Sequence, residues 1–169
     1  MNQGNTTLEF NFEKAVELIG KHMPIAQSKR KPVVMHVMRV GMYLFEKGYS
    51  NDVVIGGLLH DILEQTSIPH ETIIDIFGDN VYQIVLANSQ NSEIDDTVPK
   101  WQDMVTRCAE SGRDALIVKA ADVLDSYHYY QAVQNESEIQ RSVSIGKFVL
   151  SIKPEEITDP IFDQLKEVT

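Results

Sequence analysis

The chain has 169 residues, 43% of them hydrophobic, one cysteine and a formal net charge of −10 at pH 7. That length can bury one sizeable core and is too short for two independent catalytic domains. The acidic balance disfavours a nucleic acid polymer or an anionic membrane, which bind through surplus Lys and Arg. It leaves room for a small phosphorylated molecule where a metal ion and a few cations reverse the field locally.

The N-terminal run MNQGNTTLEFNFEKAVEL lacks a basic segment followed by an apolar stretch, and no apolar run is long enough to span a bilayer. Cys108 has no partner for an intrachain disulfide and lies in a helical stretch, where it reads as a packed thiol. A cytoplasmic setting without membrane association is expected.

Helical periods dominate. The first helix is expected after Asn11, with Phe12, Ala15, Val16 and Ile19 as its apolar stripe and Gly20 or Pro24 near its end. After the basic turn Lys29-Arg30-Lys31-Pro32, a second runs from about Val33 to Lys47, carries His36 and stops at Gly48. Asn51 or Asp52 is expected to cap the third, a very apolar helix that carries His60-Asp61 in its middle and runs on to Glu64. Gly56 and Gly57 there let a neighbour come close. A short helix follows Pro69 and ends at Phe77-Gly78, and another begins at Asp79 or Asn80.

The polar stretch from Asn88 to Lys100 is the longest expected loop, and loops of such length often carry function. Helices near Trp101–Glu110, Asp114–Gln134 and Ile139–Ile152 come next, and the tail from Pro160 to Val168 is spaced to dock as a last one. No segment alternates as a strand would.

Two buried-looking acids need an explanation. Asp61 and Asp122 both sit inside apolar helical runs, where an unpaired carboxylate is expensive. His36 and His60 share that setting. One divalent ion would satisfy all four, since imidazole and carboxylate suit Mn²⁺, Fe²⁺ or Zn²⁺. Metal-free His–Asp pairs, hydrogen-bonded in the core, would satisfy them equally well. From the residues alone both accounts stand. Under the first, Glu64, one turn beyond His60, is placed to orient a water or move its proton.

The pattern His, then His-Asp, then Asp resembles the HD-domain phosphohydrolases. His36 precedes His60 by 24 positions (60 − 36) and Asp122 follows Asp61 by 61 (122 − 61), which resembles the hydrolase domain of RelA/SpoT-type alarmone enzymes and their small single-domain homologues. The local words agree: Pro32-Val33-Val34-Met35-His36, then Leu58-Leu59-His60-Asp61-Ile62-Leu63-Glu64-Gln65-Thr66, Phe77-Gly78-Asp79-Asn80-Val81, and Val118-Lys119-Ala120-Ala121-Asp122.

The resemblance covers roughly residues 10–150 and implies an all-α HD-type bundle. The expectation is one domain over 1–169, with 151–169 as a tail helix. It implies a divalent metal, most often manganese, on His36, His60, Asp61 and Asp122, with Glu64 and Gln65 as catalytic residues beside the attacking water. At least one of Lys29, Arg30 and Lys31, together with Lys119 and Ser126, is expected to contact substrate.

Two positions depart from the family pattern. Gln65 replaces the second acid of a Glu-Asp pair, and a glutamine can orient a water without taking its proton. Ser126 replaces an Asn one turn beyond Asp122. The expected activity is metal-dependent hydrolysis of a phosphate ester or pyrophosphate on a nucleotide-like metabolite, with guanosine 3′,5′-bis(diphosphate) the specific candidate. The alternative is a metal- and nucleotide-binding sensor without turnover. Oligomeric state, including a homo-oligomer, is left open by the sequence.

Overall fold

The structure is a computed structural model that describes residues 3–25 and 31–169. Lys29 and Arg30, two of the expected substrate contacts, lie outside the described residues. Among the described residues every regular element is helical: α1 (Gln3–His22), α2 (Val33–Glu46), α3 (Asn51–Leu59), α4 (Ile62–Gln65), α5 (His70–Phe77), α6 (Asp79–Asn88), α7 (Thr97–Ser111), α8 (Arg113–Ala132), α9 (Glu136–Ile152) and α10 (Pro160–Val168). The fold is all-α, and among the described residues no helix is long and apolar enough to cross a membrane.

Helix α1 starts at Gln3, ahead of the expected Asn11. Leu8 extends the stripe of Phe12, Ala15 and Ile19 by one more turn, and Leu8 and Phe12 both pack on the core. Val16, expected in that stripe, is exposed, and Leu18 is buried instead. Helix α2 ends as its Gly predicts. Gly48 has φ +75°, its amide donates to Phe45 O, and the Tyr49 amide donates to Leu44 O, a Schellman stop.

Helix α3 is capped by Ser50, not by Asn51 or Asp52, with the Ser50 hydroxyl accepting from Val53 N. Every residue from Val53 to Leu59 is buried. A Cβ on Gly56 would come within 2.6 Å of Ile84 Cγ2, so the glycine sets how closely α3 approaches α6. The third helix does not run through His60-Asp61 as expected. It stops at Leu59, and the single turn α4 restarts at Ile62. The His60 ring donates from Nδ1 to Gly57 O at 2.8 Å, the carbonyl that a continuing α-helix would offer to Asp61 N.

The expected loop of residues 88–100 is shorter. Asn88 closes α6 and Thr97 opens α7, whose first turn accommodates Pro99. Helix α8 crosses the middle of the bundle, against α2, α3, α6, α7, α9 and α10. It is buried without a break from Ala115 to Ala121, so it shows no single apolar face. At its far end α10 is held by Asp159, which accepts from Ile161 N at 3.1 Å, from Arg113 Nη2 at 2.8 Å and from the Tyr49 hydroxyl. The effect of this packing is to bring α2, the α3–α4 break and α8 together at one point.

Candidate metal centre

That meeting point collects the four residues singled out by the sequence. His36 projects from α2, His60 and Asp61 from the break, and Asp122 from α8. His36 Nε2 and His60 Nε2 are 3.2 Å apart, and Asp122 Oδ1 is 3.0 Å from the first and 3.8 Å from the second. Asp61 Oδ1 lies 3.5 Å from His60 Nε2, and its Oδ2 lies 3.9 Å from His36 Nε2. Both histidines are buried.

The outer nitrogens are also engaged. His60 Nδ1 donates to Gly57 O, and His36 Nδ1 is 2.6 Å from Asp125 Oδ2. A carbonyl only accepts, so the His60 proton sits on Nδ1 and its Nε2 lone pair faces the centre. A divalent ion fits His36, His60 and Asp122, whose ligand atoms all lie within 4.8 Å of one another, while Asp61 stands at the edge of that group. Nitrogens and oxygens at about 2.1 Å from one cation stand roughly 3.0–3.2 Å apart at angles of about 90–100°.

The site's electrostatics were only partly visible in the sequence, which gave no counter-charge for the acids. Lys119 is that counter-charge: its side chain is buried, and Nζ lies 3.0 Å from Asp122 Oδ2. Burial alone would raise the Asp122 pKa, but Lys119, followed by His36 and His60, holds it well below the usual carboxylate range. Burial presses the Lys119 pKa down, and Asp122 overrides it to leave the ammonium above its ordinary value. His60 is lowered by burial despite Asp61 and Asp122, whereas His36 is raised because its bonds to Asp122 and Asp125 outweigh burial.

Beside the centre is a cavity of about 210 Å³, lined among others by Lys31, Asp61, Glu64, Gln65, Lys119 and Ser126. Glu64 is half-buried and accepts from Gln90 N at 2.7 Å. Its pKa is pushed up to about 7, first by burial and then by the Asp61 and Asp122 charges. Gln65 is exposed at the cavity edge. Lys31, on the expected basic turn, reaches in and donates to Ser126 Oγ at 2.8 Å, and Ser126 donates in turn to Asp122 Oδ1 at 3.4 Å. Lys119 lines the same cavity, with its ammonium already shared between Asp122 and Met104 Sδ.

The cavity is also lined by Tyr130, Glu138 and Arg141. Arg39 was not anticipated, and its fork binds Asp125 at 2.6 and 2.8 Å. Helical spacing held the signal: Arg39 follows His36 by three, and Asp125 follows Asp122 by three. Asn88 lines the cavity as well, with Nδ2 donating to Ile84 O and Ala115 O and Oδ1 without a partner among the described residues. Away from the centre, His70 Nδ1 lies 3.0 Å from the Tyr82 hydroxyl, and His128 is exposed.

A helical bundle with two buried histidines and two half-buried aspartates gathered beside a polar cavity defines the class of HD-type domains. The family model described as HD domain matches residues 15–145, and the chain belongs to that family. HD domains bind divalent metals, and the cluster is where such an ion would sit.

The chain is 27% identical over 141 residues to a guanosine-3′,5′-bis(diphosphate) 3′-pyrophosphohydrolase of Aquifex aeolicus, covering 73% of this chain and 20% of that protein. It is 27% identical over 107 residues to a probable enzyme of the same name from Mycoplasma pneumoniae, covering 57% of this chain and 15% of that one. The matched region thus spans a fifth or less of these curated relatives. Among solved structures, a metazoan ortholog of SpoT that hydrolyses ppGpp superposes with a TM-score of 0.76 at 21% identity, covering 94% of this chain and 93% of that one. That likeness establishes the shared fold.

Proposed function

We propose that the chain is a metal-dependent phosphohydrolase acting on a pyrophosphorylated nucleotide, with guanosine 3′,5′-bis(diphosphate) as the leading substrate and its 3′-pyrophosphate as the group released. The observation that carries the reading is the convergence of His36, His60, Asp61 and Asp122 beside a cavity that Glu64 also lines. The names of the curated relatives supply the substrate.

In this reading His36, His60, Asp61 and Asp122 hold one divalent ion. Manganese is favoured over Fe²⁺ or Zn²⁺ because half the donors are carboxylate oxygens and none is a thiolate. When bound, such an ion polarises a phosphoryl oxygen and acidifies water. Glu64, poised near neutrality, accepts the proton of the water that attacks phosphorus, while Gln65 orients that water. The bond from phosphorus to the ribose 3′ oxygen breaks, leaving a hydroxyl and pyrophosphate. Lys31 and Lys119 offset the charge of the phosphoryl oxygens, with Ser126 as a hydrogen-bonding neighbour. Lys29 and Arg30 directly precede Lys31 in the sequence and are proposed as further contacts. The proposal treats 1–169 as one cytoplasmic HD-type unit, in keeping with α10 packing on α8 and α9.

The test is pyrophosphate release from a panel of nucleotides, including pyrophosphorylated guanosines, with and without Mn²⁺. Metal-dependent turnover that vanishes in His60→Ala and Asp61→Ala is expected. Turnover surviving both substitutions would refute the assignment. The amide at exposed Gln65 favours a second reading, in which nucleotide and metal bind without turnover. Saturable nucleotide binding with no product across the panel would select it.

A further inference from the structure

We propose that Asp125, clamped by Arg39, is a positioning residue that holds the His36 ring with Nε2 facing the centre and thereby sets how tightly the chain binds its divalent ion. The inference rests on the metal reading above but concerns two residues outside the four proposed ligands. Asp125 Oδ2 lies 2.6 Å from His36 Nδ1. From its other side Arg39 grips both carboxylate oxygens, Nε to Oδ1 at 2.6 Å and Nη2 to Oδ2 at 2.8 Å. A two-point fork fixes the plane of a carboxylate as a single ammonium cannot. The guanidinium is itself seated over the Tyr129 ring, 5.5 Å from its centroid.

The two histidines are therefore held by different means. His60 leans on the neutral carbonyl of Gly57, whereas His36 leans on a charged oxygen carried by α8 and fixed by Arg39, one turn beyond His36 on α2. A carboxylate behind an imidazole orients the ring and makes its opposite nitrogen a stronger donor to a cation, and losing such a partner typically weakens metal binding about 10–100-fold. Asp125 is not among the residues lining the cavity, so contact with a substrate there does not account for its placement. Arg39 is partly open to solvent, with a side-chain exposure of 37%, so replacing it opens no core cavity, and the Asp125 carboxylate it leaves keeps His36 as a partner.

The experiment is calorimetric titration of Mn²⁺ into the metal-free full chain, for wild type, Asp125→Leu, Asp125→Asn and Arg39→Met. Helix content by circular dichroism confirms that each is folded. Asp125→Leu should bind about 10–100-fold more weakly. Asp125→Asn, which can still accept from Nδ1, should recover part of that loss, and Arg39→Met should weaken binding by a smaller factor without touching Asp125. Recovery in Asp125→Asn is the readout that a merely structural role would not produce. Wild-type affinity in folded Asp125→Leu, or equal affinities for the Leu and Asn variants, overturns the proposal. Should Asp125→Leu not fold, an unchanged affinity in Arg39→Met overturns it. Wild type that binds no Mn²⁺ overturns instead the metal reading on which the proposal stands.

Discussion

Replacing Lys119 with Met keeps most of the volume of a fully buried side chain and removes its charge. Nζ and Asp122 Oδ2 are 3.0 Å apart, so at an effective dielectric of about 20 their attraction is on the order of 5 kcal/mol. Breaking one side of a buried pair costs about 3–5 kcal/mol, because the remaining charge is left uncompensated. Part of that cost is recovered here, since His36 Nε2 stands 3.0 Å from the other Asp122 oxygen and the Asp122 side chain keeps a 19% exposure. A net loss of roughly 2–4 kcal/mol is expected for the metal-free protein, a fall in Tm of about 5–15 °C for a chain of this size. A divalent ion replaces the missing positive charge, so saturating Mn²⁺ should shrink the gap between variant and wild type. Differential scanning fluorimetry in chelator and in Mn²⁺ reads both quantities. A gap of equal size in the two conditions would refute the electrostatic reasoning and point to lost packing alone.

Three further outcomes follow from other parts of the molecule. The Glu64 pKa is raised from 4.5 to about 7, so the folded state holds a proton over that window that the unfolded chain releases. Its stabilising contribution is complete below about pH 4.5 and is lost as the pH rises through about 7. Urea unfolding of metal-free protein across that range should lose this part of its slope in Glu64→Gln, and an unchanged slope would contradict it. Gly56→Ala puts a methyl 2.6 Å from Ile84 Cγ2, and overpacking of about 1–3 kcal/mol should exceed the gain of up to about 1 kcal/mol in helix propensity. A thermal melt above wild type would show that α3 and α6 can move apart. Asp159→Ala removes the α10 cap and the bonds to Arg113 and Tyr49, a loss of about 1–3 kcal/mol that should appear as faster hydrogen exchange in α10. Wild-type exchange rates there would count against the latch.

The helices were legible because their apolar spacing is local. Gly48, Gly78 and Gly112 all take positive φ at helix ends, which is why the stops after α2, α5 and α7 could be placed from sequence. The break at His60-Asp61 was not legible, since the run from Val53 to Glu64 has every feature of a continuous helix and the interruption comes from an imidazole bonding a carbonyl three residues back. The four central residues could be picked out because acids in apolar helices demand an explanation. Spacing places Arg39 and Asp125 one turn from His36 and Asp122, but their pairing with each other across 86 positions, like that of Lys31 with Ser126 across 95, could not be read. Such distances carry no periodic signal.

That outer layer changes what the −10 net charge means at the site. Asp122 is matched by Lys119 and Asp125 by Arg39, while Lys31 lies among the same acids, its pKa lowered by burial and supported by Asp122, Asp61 and Asp125. A cluster of bare carboxylates would attract any divalent ion strongly and hold a phosphorylated ligand off. In the proposed reading, with cations already paired to two of the three acids, an incoming ion would compete with Lys119 for Asp122, and an incoming phosphate would meet two ammonium groups on the cavity wall. Metal affinity and phosphate affinity are then coupled through Lys119. Substituting it should tighten the ion and loosen the anion, and two opposite shifts from one residue are harder to obtain from a packing defect than from charge.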